Sequence, residues 1–84
     1  MPLKPHSSVR ISSSLFEELV RTGMAVSEAE HLATLAGKEG TVEGSHEDRN
    51  DVAWCLVLFS EYPEAFWLPQ VACIPLNGTN LNND

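Results

Sequence analysis

The chain has 84 residues, and its 43% hydrophobic and 20% charged residues are the composition of a folded globular domain. Five Lys and Arg residues against twelve Asp and Glu residues give a formal net charge of −7. Nucleic acids and anionic membranes bind through clustered cations, so this balance argues against both as partners. The longest nearly uncharged apolar run, residues 52–59, is too short to span a bilayer, and the N-terminus lacks a signal peptide's apolar stretch. We therefore expect a cytoplasmic protein.

The N-terminal half predicts an arm, a short strand and two short helices. Residues 1–8 contain two Pro and two Ser and are expected to be a flexible arm, while the alternation from residue 9 to residue 12 predicts a strand. Apolar residues at helical spacing predict helices over 15–22 and 28–36.

Both predicted helices carry start and stop signals. Ser14 and Glu17 have the spacing of a capping box, and Ser27 and Glu30 repeat it. A glycine after each helix, Gly23 and Gly37, is placed to end it in the left-handed conformation.

The C-terminal half predicts strands separated by turns. In chain order, we expect a strand at 40–44, a polar turn at 45–51, a central strand at 52–59, a turn near Pro63, a strand at 66–68, a tight turn at 70–72, a strand at 73–76 and a frayed polar tail at 77–84. Alternation along the central strand divides its side chains between two faces. One face carries Trp54, Leu56 and Leu58, and the other carries Cys55, Val57 and Phe59.

The second half of the chain resembles the SH3-like small β-barrel group over about residues 37–76. The resemblance is carried by Gly37-x-x-Gly40-Thr41-Val42, by the 52–59 strand, and by Phe66-Trp67-Leu68-Pro69 followed by Ile74. It implies that residues 9–11 form the first strand and that both helices lie in the long first loop. The expected fold class is α+β: residues 9–76 form a single domain with a small antiparallel sheet or SH3-like partial barrel and two short N-terminal helices.

No motif for catalysis, phosphate binding, metal or cofactor is present, so we assign no catalytic residue, no metal ligand and no cofactor. His46, Glu47, Asp48 and Asp51 lack the spacing of a zinc or calcium site and are interpreted as a solvated turn. Cys55 and Cys73 lie in apolar runs and are interpreted as buried thiols. The alternative is a small enzyme that uses Cys55 or the carboxylates of Glu61 and Glu64, or a small-ligand binder with a site at a subunit interface.

The aromatic residues near the 60–68 turn are the candidate binding residues. Phe66 and Trp67 are adjacent and so point to opposite faces of a strand, and so small a domain cannot easily bury all its aromatic rings. We therefore expect Tyr62, Phe66 and Trp67 to supply a binding surface. The leading hypothesis is a non-enzymatic protein-binding or assembly module whose first partner is a second copy of the chain, in a homodimer or higher oligomer, with another protein as a further partner.

Overall fold

The structure is a computed structural model, and it describes residues 6–76. Within that range the chain forms two α-helices and a five-stranded antiparallel sheet. The strands are β1 (Ser8–Ile11), β2 (Glu39–Glu47), β3 (Ala53–Leu58), β4 (Ala65–Pro69) and β5 (Cys73–Pro75). The helices are α1 (Leu15–Arg21) and α2 (Val26–Leu32), and short 3-10 turns cover Ala33–Leu35 and Gln70–Ala72. The predicted tail and most of the predicted arm lie outside the described residues.

The strand order in the sheet is β4-β3-β2-β1-β5. Both helices lie in the connection between β1 and β2, as the resemblance implies, and a 3-10 turn leads into β5. The end strands β4 and β5 do not pair with each other, so the sheet is open. The predicted α+β class with an antiparallel sheet is confirmed.

One face of the sheet packs against the helices and forms the core. Leu15 and Leu19 are one turn apart on α1, both are buried, and Ala29 is the buried residue of α2. The sheet contributes buried side chains from all five strands: Val9, Ile11, Val42, Cys55, Val57, Leu68 and Cys73. We call this the inner face and the opposite one the outer face.

The glycine stops are confirmed, whereas the two capping boxes are wrong. Gly23 and Gly37 follow the helical segments with φ of 97° and 84°. Ser14 is at the N-cap of α1, but its hydroxyl lies 2.8 Å from the Ser12 hydroxyl and makes no capping bond. Ser27 lies inside α2, which begins at Val26, because the extended Ala25 is the N-cap.

The two faces of β3 separate as its alternation predicts. Cys55 and Val57 are buried on the inner face, whereas Leu56 is half-buried and Leu58 is exposed on the outer face. Trp54, also on the outer face, is half-buried. The helices cover only the inner face. The outer-face side chains of β3 are therefore shielded from water only by side chains of neighbouring strands.

Candidate functional site

Two of the three candidate aromatic residues meet at the β3–β4 turn. The rings of Tyr62 and Phe66 lie 5.6 Å apart in an edge-to-face arrangement, and the buried Phe59 ring is 6.1 Å from Phe66. Phe66 is half-buried, and 37% of Tyr62 is exposed. Aromatic contacts of this kind stabilise the positions of the rings by more than their buried area alone would provide. Tyr62 is therefore the exposed end of an aromatic cluster that is anchored in the core.

This cluster forms one wall of a small cavity. Tyr62 and Phe66 face His31, Leu32 and Leu35 across a space of about 130 Å³. The cavity is smaller than typical small-molecule sites, which measure about 300–1,000 Å³.

Trp67 lies on the outer face and is separate from the other two candidates. It pairs with Leu56 of β3, whereas Phe66 pairs with Val57 on the inner face. The Trp67 ring packs edge-to-face against the ring of His46, with centroids 4.6 Å apart, and 42% of the residue is exposed. The sequence predicted a solvated turn at His46, but His46 lies in β2, which extends into the polar run 45–51 as far as Glu47.

An apolar surface surrounds Trp67. Leu56, Leu58 and Ala65 share the outer face of β3 and β4 with it, and we call these four residues the Trp67 patch. Leu56 and Ala65 are half-buried, and Leu58 is 37% exposed. Neither strand contains a charged residue. The sequence predicted the division of β3 into two faces and indicated Trp67 as a candidate binding residue; the structure places Trp67 on the same outer face as Leu56 and Leu58.

The turn between β2 and β3 is held by one carboxylate. Asp48 accepts hydrogen bonds from the backbone N–H groups of Asn50 (2.8 Å) and Val52 (3.0 Å) and from the indole N–H of Trp54 (2.9 Å). These bonds, led by the one from Trp54, lower the pKa of Asp48 below its usual value. The carboxylate therefore serves as a structural acceptor that ties the turn to β3.

The cysteines lie in the core. Neither forms a disulfide within the described residues, and both are buried. Burial, with a smaller contribution from the adjacent Cys55, raises the pKa of Cys73 to about 12. Because the thiolate is the nucleophile, a thiol that stays protonated at neutral pH is a poor catalyst.

The carboxylates proposed for the alternative enzyme are solvated. Glu61 and Glu64 are both exposed in the β3–β4 turn. Glu61 forms an ion pair with Lys38, with 3.0 Å between Oε1 and Nζ, and this pairing raises the pKa of Lys38. The pair connects the start of β2 to the β3–β4 turn.

The described residues, 6–76, offer neither a cluster of metal ligands nor a helix that could cross a membrane. No three His, Cys, Asp or Glu side chains in that range come close enough together to hold a metal ion. No helix in the same range is both long and apolar enough to cross a bilayer. Comparisons of the chain with protein-family models, with curated proteins and with solved structures gave no match.

Proposed function

We propose that this protein is a non-enzymatic protein-binding or assembly module that forms a homodimer through the Trp67 patch. The observation that carries the proposal is the exposed Trp67 on the open outer face, flanked by Leu56 and Leu58. An exposed apolar surface is a common mark of a protein interface, and Trp is among the residues that contribute most to binding energy.

Electrostatics supports contact at this patch. Two copies, each with a formal charge of −7, repel each other. The strands β3 and β4 carry no charge, so the centre of a contact between them would bring no two carboxylates together. Salt screens the remaining repulsion and is therefore expected to strengthen the dimer.

Symmetry also favours a second copy as the partner. An apolar patch is complementary to itself, and a two-fold axis through it covers both patches in one closed contact. In such a contact the two Trp67 rings, with the His46 rings that support them, lie near the centre. Rings held in place before association lose less conformational freedom on binding.

Sedimentation equilibrium at tens of micromolar, at low and at high salt, tests the dimer. The monomer mass is 9.2 kDa, and we expect a species of twice that mass, more populated at high salt. Trp67→Ser should weaken association at least about tenfold, the ratio that corresponds to about 1.4 kcal/mol of binding free energy. Val26→Ser is the matched control, because Val26 is a 54% exposed apolar residue on α2.

A single monomeric species at both salt concentrations would contradict the homodimer. If Trp67→Ser and Val26→Ser weakened association equally, the Trp67 patch would not be the interface. Circular dichroism of each variant establishes that the fold is retained, so a loss of association can be assigned to the contact.

The proposed setting is the cytoplasm, and the two buried cysteines, which are not joined in a disulfide, support it. Reducing compartments maintain thiols in this form. Alkylation of the chain in freshly lysed, denatured cells should label both cysteines, and a chain isolated with an oxidised pair would contradict this setting.

A further inference from the structure

A second cavity lies between the C-terminal end of α1 and the start of β3. It measures about 370 Å³, within the range of small-molecule sites. Val52, Ala53, Pro69 and Val71 supply its apolar lining. Ala53 alternates with Cys55 along β3, which places the cavity at the inner side of the sheet, away from the Trp67 patch.

Charged side chains complete the lining of this cavity. Glu18 and Arg21 come from α1, and Asp51 comes from the turn before β3. The Arg21 side chain is 76% exposed, and its nearest nitrogen is 3.9 Å from Glu18, so the pair is loose. Two carboxylates and one guanidinium leave the rim with a formal charge of −1, in a chain of −7.

We propose that this cavity binds a small organic cation in which an ammonium group is joined to an apolar body. The apolar body would lie against Val52, Pro69 and Val71, where it loses contact with water. The ammonium group would lie between Glu18 and Asp51, and within residues 6–76 neither carboxylate forms a tight ion pair. The site lies within one chain and does not depend on the proposed dimer.

The negative charge of the protein favours a positively charged ligand. A negative surface raises the local concentration of cations and lowers that of anions. An anionic ligand would also meet the two rim carboxylates directly. A neutral ligand would gain the apolar contact but nothing from the rim. The cavity is therefore expected to rank ligands of one shape in the order cation, neutral molecule, anion.

Three compounds that share an indole body test this ranking: tryptamine, tryptophol and indole-propionate. Each is titrated into the uniformly labelled protein, and binding is followed by the amide signals of Thr22, Ala53 and Val71. We expect tryptamine to bind at least about tenfold more tightly than tryptophol, and indole-propionate to bind most weakly. Added salt should narrow the difference, because it screens the rim charges.

Variants that each remove one rim carboxylate test whether the rim produces the preference for a cation. Glu18→Gln and Asp51→Asn should each reduce the affinity for tryptamine and leave that for tryptophol unchanged. Asn suits position 51, where φ is 63°, because it tolerates the left-handed conformation. Glu17→Gln removes the same charge from an exposed position of α1 outside this cavity and should have no effect.

A variant in the apolar lining tests whether the apolar body of the ligand binds there. Val71 is 73% exposed, so Val71→Ser should preserve the fold while weakening tryptamine and tryptophol alike. Val26→Ser is again the control. Equal affinities for tryptamine and tryptophol, no binding of either, or amide shifts centred on Trp67 would each overturn the proposal. The amide spectrum of each variant verifies its fold in the same measurement.

Discussion

At the scale of single residues, Asp48 makes the clearest link between charge and stability. Its carboxylate accepts three hydrogen bonds within one turn, and these lower its pKa in the folded protein. A carboxyl whose pKa is lower when folded stabilises the fold above its unfolded pKa, about 3.9 for Asp. That contribution is lost as the pH falls through the folded value.

We expect Asp48→Asn to lower the melting temperature at neutral pH and to flatten its decline under acid. The amide keeps an acceptor oxygen but carries no charge, so its contribution does not titrate. Thermal unfolding followed by circular dichroism from about pH 7 to pH 2 measures both effects. Glu47→Gln, which removes the neighbouring charge, is the control. An unchanged acid profile in Asp48→Asn would show that other carboxyls determine the acid sensitivity.

At the scale of secondary structure elements, Gly40 sets how closely β2 approaches β3. A Cβ atom at this position would lie 2.7 Å from the Cγ1 of Val57 and 2.8 Å from the carbonyl oxygen of Leu58. Contacts this short require the strands to move, and a backbone oxygen cannot swing aside as a side chain does. Gly44, on the same strand, has room, because its nearest contact would be the Leu56 Cβ at 4.0 Å.

Gly40→Ala should therefore destabilise the protein by about 1–3 kcal/mol, the usual cost of overpacking a core. Gly44→Ala should have a small effect and can stabilise, because alanine restricts the unfolded chain. Urea unfolding of both variants gives the comparison. Equal stability of the two would mean that β2 and β3 separate without cost at Gly40.

The elements also show what local sequence could predict. Apolar spacing located α1 to within one residue at its C-terminal end, and the glycines after the helical segments marked their ends. Apolar spacing placed the start of α2 too late, because Val26 and Ser27 do not share the buried face of Ala29. Residues 45–47 of β2 are all polar, so the sequence did not predict a strand there. They are exposed because they pair with β3 outside the area of the sheet that the helices cover.

The same limits apply to the candidate site. Exposure of Trp67 follows from its neighbour Phe66, which takes the inner face, and this could be predicted. The contact with His46 could not, because it depends on the register between β2 and β3. The cavity beside α1 joins residues from three separate segments, and only the folded chain brings them together.

At the scale of the whole molecule, the buried thiols report on cooperative unfolding. Cys55 lies in β3, beside the centre of the sheet, and Cys73 lies in β5 at its edge. Both side chains are buried, and the high pKa of Cys73 keeps that thiol protonated. Reaction with an aromatic disulfide reagent therefore requires that the core opens.

We expect no rapid labelling of either thiol near pH 8 in the folded protein, and labelling of both once denaturant unfolds it. Cys55→Ala allows Cys73 to be followed alone, and Cys73→Ala does the same for Cys55. Labelling of Cys73 in the folded state at the rate of the unfolded chain would show that β5 detaches locally while the rest of the sheet stays intact.

The irregularity in β2 determines where this chain tolerates a change in length. The pairing shifts between Val42 and Gly44, which leaves Glu43 as an extra residue. Val42 points inward, yet Gly44 and His46, opposite Leu56 and Trp54, point outward. Loss of Glu43 would remove the bulge and leave Val42 and Gly44 as regular neighbours on opposite faces, so His46 would keep its place opposite Trp54 and beside Trp67. Related chains are therefore expected to differ by one residue at this bulge, or in the turns on either side of β3, with the pairing of Gly44 and His46 to β3 held constant.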